Sequence, residues 1–158
     1  MTKAIAPSLL LAAHIAAPIL IALFAPAIAQ AQAASPILGT WETEDRVLKI
    51  AIFESSGTFS GRVLHGQRLM EADGRIFKKD VNNPDPALRG RSLQGITIVK
   101  NLKWNAASKR WDGGEWYDGT SGRMVSARAE MADGKLEMRV YRGAPIMGRT
   151  LVLRRVAG

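Results

Sequence analysis

Beyond Pro36 the chain alternates apolar and polar residues in short runs of period two, and nowhere does it sustain the helical period of an amphipathic helix. Leu48, Ile50 and Ile52 alternate with Lys49, and Leu136, Met138 and Val140 alternate with Glu137 and Arg139. Each such run predicts a strand with one dry face and one wet face. The same pattern predicts eight strands: Gly39 to Thr43, Val47 to Phe53, Thr58 to His65, Gly95 to Trp104, Trp111 to Tyr117, Arg123 to Met131, Lys135 to Arg142 and Arg149 to Val156. Between them lie Ser55-Ser56-Gly57, Asp118-Gly119-Thr120-Ser121-Gly122 and Asp133-Gly134, where glycine accepts the positive φ that a tight hairpin demands. Strands joined this way form a meander. Eight of them in about 125 residues fit an all-β, antiparallel up-and-down barrel, which removes the exposed edges of an open sheet; an open sandwich is the alternative. Gly113 and Gly114 would weaken a flat strand, and they suit a sharp bend or a group packed on bare backbone.

One connection breaks the rhythm. From Gly66 to Gln94 the strand pattern lapses, and the stretch contains Ala72-Asp73-Gly74, Asn82-Asn83-Pro84-Asp85-Pro86 and Arg89-Gly90-Arg91. Loops of this length inside a compact domain are usually functional or disordered. Two prolines stiffen this one, and Asn83 and Asp85 can hold turns through their own side chains. An ordered loop is therefore expected, with one helical turn at Pro86 to Arg89 and a position near the mouth of the barrel.

The residues before the strands follow another pattern. Apart from Lys3, no Lys, Arg, Asp or Glu precedes Glu42. A short basic start, an apolar run from Leu9 to Ala25 and small residues at Ala27, Ala29, Ala31 and Ala33 read as a secretory signal peptide over residues 1–33, cut after Ala29, Ala31 or Ala33. The barrel domain then spans residues 37–157, and the expected location is periplasmic or secreted. An uncleaved leader acting as a membrane anchor is the rival reading. Once the leader is removed, no stable membrane insertion is expected.

Composition narrows the chemistry. The 158 residues contain no cysteine, which excludes disulfides, thiolate metal sites and cysteine nucleophiles. His14 lies in the leader, so His65 is the single histidine of the mature chain, and a multi-histidine metal site is impossible. Lys3 is the one leader residue among the 22 Lys and Arg, leaving 21 against 14 acidic side chains. That excess could attract anions, yet it is scattered singly along the strands, as on a solvated outer face. Neither a nucleic-acid partner nor a cofactor is expected.

The segment Asp80-Val-Asn-Asn-Pro-Asp-Pro-Ala-Leu-Arg-Gly-Arg-Ser-Leu-Gln-Gly95, followed by Trp111-Asp-Gly-Gly-Glu-Trp-Tyr117 and Gly148-Arg-Thr150, resembles the bacterial family catalogued as domain of unknown function 2147. The resemblance runs from Gly39-Thr-Trp41 to Arg154 and implies an exported, lipocalin-like barrel with no assigned activity. Where many members carry a Cys-x-x-x-x-Cys-Gly pattern, Ser55 and Ser60 stand before Gly61, so the hairpin disulfide of those relatives is missing here. By the same likeness to lipocalins, Trp41 closes one barrel end, and Arg149 or Arg154 on the last strand packs across its ring.

The remaining candidates divide between structure and binding. Asp80, Asn82 and Asp85 have a calcium-like spacing, but the glycine and bidentate Glu of an EF-hand are missing, so Asp80, Asn83 and Asp85 are read as loop-structuring. Arg89 and Arg91 can clamp a carboxylate or phosphate, or instead pair with Asp80 and Asp85. Trp116 and Tyr117 place aromatic rings on the fifth strand, and Arg149 can face the interior rather than close the base. The expected function is non-catalytic binding of a small, partly apolar or acidic, fatty-acid-like ligand, with Arg89, Arg91, Trp116, Tyr117 and Arg149 as candidate contacts. The alternatives are a filled barrel serving as an envelope interaction module, and a hydrolase using Asp80, Asp85 or His65.

Overall fold

The computed structural model describes residues 35–157, so the expected leader lies outside the described residues. Eight antiparallel strands follow in order: β1 (Gly39–Thr43), β2 (Leu48–Ser55), β3 (Thr58–Gly66), β4 (Thr97–Asn105), β5 (Arg110–Asp118), β6 (Arg123–Ala132), β7 (Lys135–Tyr141) and β8 (Arg149–Val156). Each pairs with its sequence neighbours and β1 pairs with β8, closing the barrel. The sandwich alternative is thereby excluded. Predicted boundaries differ by a residue or two at most strand ends, where ladder pairing rather than side-chain alternation decides the last residue.

Alternation sets the inside. Trp41 and Thr43 of β1, Ile50 and Ile52 of β2, and Leu136, Met138 and Val140 of β7 are buried, while the residues between them are partly exposed. The interior packs Trp41, Ile50, Leu102, Trp111, Met138 and Leu153 at 2% exposure or less. Phe59 meets Trp111 edge to face with ring centroids 6.3 Å apart, a preferred aromatic geometry. Among the described residues the ladder closes and the core fills within residues 37–156, which lie in one compact unit.

Bulges bend the wall. Trp111 pairs with Ala129 but Gly114 with Ala127, so one extra residue sits on β5. Gly113 takes it up at φ +72°, a conformation that side chains resist. Gly114 has the complementary duty: a Cβ there would run into the Leu102 side chain. Gly113 thus serves the bend and Gly114 the close approach of a packed group.

The long connection is ordered by bridges and turns. Met70 pairs with Phe77 and Lys79 with Ser92, and Pro86–Leu88 forms a single 3₁₀ turn. Asp85 caps that turn by accepting the Ala87 amide hydrogen bond at 2.9 Å. Leu69 and Leu93 are buried, so the loop carries its own apolar anchors into the body.

Candidate functional site

The ends of β1, β3 and β5 and the starts of β2, β4 and β8 gather at one end of the barrel. They surround a cavity of about 330 Å³. Its apolar wall comes from Leu48, Leu69, Ile98, Trp116 and Leu151, and its rim carries Arg68, Arg149, Asp45 and Asp118. Below it the interior is packed with side chains. The barrel is therefore open at one end and filled through the remainder.

The rim charges are not equivalent. Asp118 accepts hydrogen bonds from the Thr120 amide at 3.0 Å, the Thr120 hydroxyl at 2.7 Å and the Ser121 hydroxyl at 2.9 Å. Burial works against this carboxylate, but those bonds and the nearby Arg149 charge hold it below the ordinary carboxylate range. Its oxygens are committed to its own turn. The guanidinium groups of Arg68 and Arg149, by contrast, have no hydrogen bond or ion pair among the described residues. The rim thus offers unused donors for an anion above an apolar floor.

Tyr117 follows Trp116 and points the other way. Trp116 pairs with Val99 and joins the interior; Tyr117 borders the cavity but sends its hydroxyl outward through the wall to the loop. There it donates a short hydrogen bond to Asp80, which is fully buried. Asp80 also accepts from Asn83 Nδ2 at 2.7 Å and from Arg91 Nε and Nη2 at 3.0 and 2.8 Å. Asn83 Nδ2 reaches the Tyr117 hydroxyl oxygen at 3.1 Å, and Asn83 Oδ1 accepts the Asp85 amide at 2.9 Å. Arg89 Nε donates to the Asn83 carbonyl at 2.8 Å. Asn82 Nδ2 ties the same loop to the Thr120 carbonyl at 2.8 Å.

Electrostatics follow from this closure. Burial raises the Asp80 pKa, but the bonds from Tyr117, Asn83 and Arg91 outweigh it and hold the carboxyl below its ordinary range. Burial together with the Asp80 carboxylate pushes the Tyr117 phenol up to about 12. The cluster is an anion with its donors already in place.

The predicted residues therefore separate. Trp116 and Arg149 line the cavity. Arg89 and Arg91, expected near the mouth, lie instead on the outer wall, where the folded loop uses Arg91 to neutralise Asp80. Only the start of the long loop, Gly66 to Leu69, reaches the rim. Asp80, Asn83 and Asp85 all take part in the loop's hydrogen bonds, and no oxygen of Asp80 faces open space. His65 lies opposite Lys49 on the neighbouring strand.

The closure of the base needs correction. Trp41 is fully buried and donates its indole hydrogen to the Ile37 carbonyl at 2.8 Å. The cation over its ring belongs to Arg155, with the guanidinium carbon 4.4 Å from the centroid, and not to Arg149 or Arg154. Arg154 points outward and pairs with Glu42. Alternation explains the difference: Leu151 and Leu153 face inward, so Arg149 and Arg155 share their side and Arg154 does not. That signal was present in the sequence, as was the inward parity of Leu151. Arg68 and Ile98 carried no such mark, because each lies where a loop meets a strand.

A closed eight-stranded antiparallel barrel with a tryptophan on the first strand, covered by an arginine from the last, defines a lipocalin-like protein. The chain belongs to the bacterial family described as "Uncharacterized protein conserved in bacteria (DUF2147)", which matches residues 39–155. Its fold is similar to that of protein HP1028 from Helicobacter pylori, described as a member of the lipocalin family, with 25% sequence identity, a TM-score of 0.64, and coverage of 77% of this chain and 83% of that one. No curated protein sequence matches the chain.

Proposed function

We propose that this protein is a non-catalytic carrier, acting outside the cytoplasm, that takes a small amphipathic anion into the open end of its barrel. The observation that carries this reading is the pairing of an apolar cavity of about 330 Å³ with Arg149 and Arg68, whose donors are unused among the described residues. A cavity of that size accommodates one small ligand, and its lining combines an apolar wall with a polar, charged rim, as an amphipathic anion requires. The outer cluster supports a non-catalytic reading, because the Asp80 carboxylate is bonded on both oxygens and is held by its own fold. The leader-like residues 1–33 support export.

Titration with decanoate tests the proposal. Trp116 lies in the cavity wall, so its fluorescence should change saturably, and native mass spectrometry should show one bound molecule. Replacement Arg149→Ala should weaken binding about tenfold, the order of one charge-assisted hydrogen bond. Absence of saturable binding by both methods would overturn the reading, as would equal affinity for decanol, which lacks the charge.

A further inference from the structure

The connection between β7 and β8 carries the two most exposed large apolar side chains among the described residues. Ile146 is 84% and Met147 79% exposed, whereas the other exposed large hydrophobic residues range from 36% to 62%. A loop that merely tolerated such residues would leave them free to fold back. This one is held in place: Arg139 donates from Nε to the Pro145 carbonyl at 2.9 Å, from Nη2 to the Ile146 carbonyl at 3.2 Å and from Nη1 to the Thr150 hydroxyl at 2.9 Å. The Met147 and Gly148 amides close the 3₁₀ turn on the Ala144 and Pro145 carbonyls, each at 3.0 Å. Three guanidinium bonds and a proline-started turn thus fix the backbone so that both apolar side chains point into solvent.

The tip itself is flanked by cations, while Glu130 and Glu137 lie with Arg128 and Arg139 along the groove that Pro145 and Ile146 border. From Met138 to the end of the chain there are five arginines and no Asp or Glu. Arg142 and Arg149 flank the tip, and both are exposed. Met124, another exposed apolar residue, lies with Arg142 and Glu115 along a shallow groove on the neighbouring strands. An exposed apolar tip flanked by Arg142 and Arg149 matches the boundary of an anionic bilayer, where apolar side chains enter the acyl region and basic ones stay among the headgroups. Two exposed side chains are too small an area to be the core of a stable protein interface.

We infer that the Pro145–Met147 turn is a membrane-docking tip, by which the barrel binds reversibly to anionic lipid bilayers with its open end beside the surface. Insertion of two side chains helped by a few charges gives weak, salt-sensitive attachment rather than anchoring. This inference shares Arg149 with the cavity reading but requires no ligand, and its readouts at Ile146 and Met147 are independent of decanoate binding.

The absence of cysteine makes the test direct. Residues 34–158, containing the complete barrel, are prepared with Met147→Cys or with Ala106→Cys, the latter in the β4–β5 turn away from this loop, and labelled with an environment-sensitive fluorophore. With vesicles of mixed phosphatidylglycerol and phosphatidylcholine, the label at 147 should shift to the blue and the label at 106 should not. Unlabelled protein should co-sediment with these vesicles, and Ile146→Ser with Met147→Ser should lower its partitioning about tenfold or more. Binding should also fall as salt rises and should be lost on pure phosphatidylcholine. The inference is overturned by any of three results: no co-sedimentation with the anionic vesicles, a blue shift at 106 equal to that at 147, or unchanged partitioning of the double serine variant. Near-ultraviolet circular dichroism of each variant shows whether the barrel is intact, so a loss of binding cannot be confused with unfolding.

Discussion

Trp116 and Tyr117 are neighbours on β5, and they open onto two regions built on opposite principles. On the Tyr117 side, a fully buried carboxylate is surrounded by a phenol, an amide and a guanidinium that donates from two nitrogens to one of its oxygens, so that every strong group has its partner. On the Trp116 side, two guanidinium groups stand over an apolar floor with no bonded partner among the described residues. Both regions are polar and both contain arginine. A polar cluster that satisfies itself specifies structure, whereas one left unsatisfied above an apolar cavity is arranged for something that arrives. Composition alone does not separate the two, because Arg91 and Arg149 are the same residue type placed on opposite sides of one wall.

If this contrast is right, removing Asp80 should have the largest effect on stability. Asp80→Ala leaves the buried Tyr117 hydroxyl and Asn83 amide without their acceptor and the half-exposed Arg91 without its partner, which costs about 2–4 kcal/mol. Urea unfolding should show this loss, while decanoate affinity measured on the folded variant should change little. A large fall in affinity with little loss of stability would reverse the roles of the two regions.

The same cluster predicts a response to alkali. Tyr117 has its folded pKa raised from the ordinary 10.0 to about 12. The cluster's contribution is therefore complete below pH 10 and is lost as the pH rises through 12, about 2–3 kcal/mol over that window. Asp80 has the opposite sign: its folded pKa is depressed, so its contribution is present above the ordinary carboxylate value of 3.8 and is lost as pH falls through the folded value. Thermal unfolding across pH 8 to 12 checks the first of these. Tyr117→Phe should flatten the difference, and an unchanged alkaline slope in that variant would remove Tyr117 as its cause.

How much of this was legible beforehand depends on the distance over which each signal acts. The eight strands and the closed barrel were legible because alternation and hairpin turns are local, and each hairpin fixes its neighbour. The order of the loop was legible from Pro84, Asn83, Asp85 and Pro86, whose side chains act on backbone close by. The direction in which the loop folds was not. Asp80 meets Tyr117 across 37 positions in sequence, and nothing local to either residue says that the loop lies on the outer wall instead of over the mouth. Hence the sequence leaves Arg89 and Arg91 open between a ligand clamp and loop pairing, and the fold uses Arg91 on Asp80 and Arg89 on the Asn83 carbonyl. Arg154 differs, since the parity of Leu151 and Leu153 is local and sets it on the outer face.

That parity yields a smaller prediction at the closed end. Arg155→Ala removes the cation above Trp41 and the donors to the Pro36 and Leu38 carbonyls, which should lower stability by about 1–2 kcal/mol. Arg154→Ala removes an ion pair with Glu42 on the outer face and should cost less, about 1 kcal/mol at most. Paired thermal melts compare the two. Equal losses would mean that inward placement confers no advantage on Arg155.

Arg149→Ala should have the smallest effect on the empty protein. Its guanidinium makes no hydrogen bond or ion pair among the described residues, and its nearest electrostatic relation is to Asp118, which its own turn already satisfies. Truncation should therefore change stability by no more than about 0.5 kcal/mol, the range of surface substitutions away from structural features. With saturating decanoate the comparison changes sign in interest: the native protein gains stability from the bound ligand by mass action, and the variant gains less because it binds more weakly. Melting both proteins with and without decanoate separates these terms. A variant destabilised when empty would show that Arg149 belongs with Arg91 as a structural cation, and the distinction between the two sides of the wall would then fail at the residue on which it most depends.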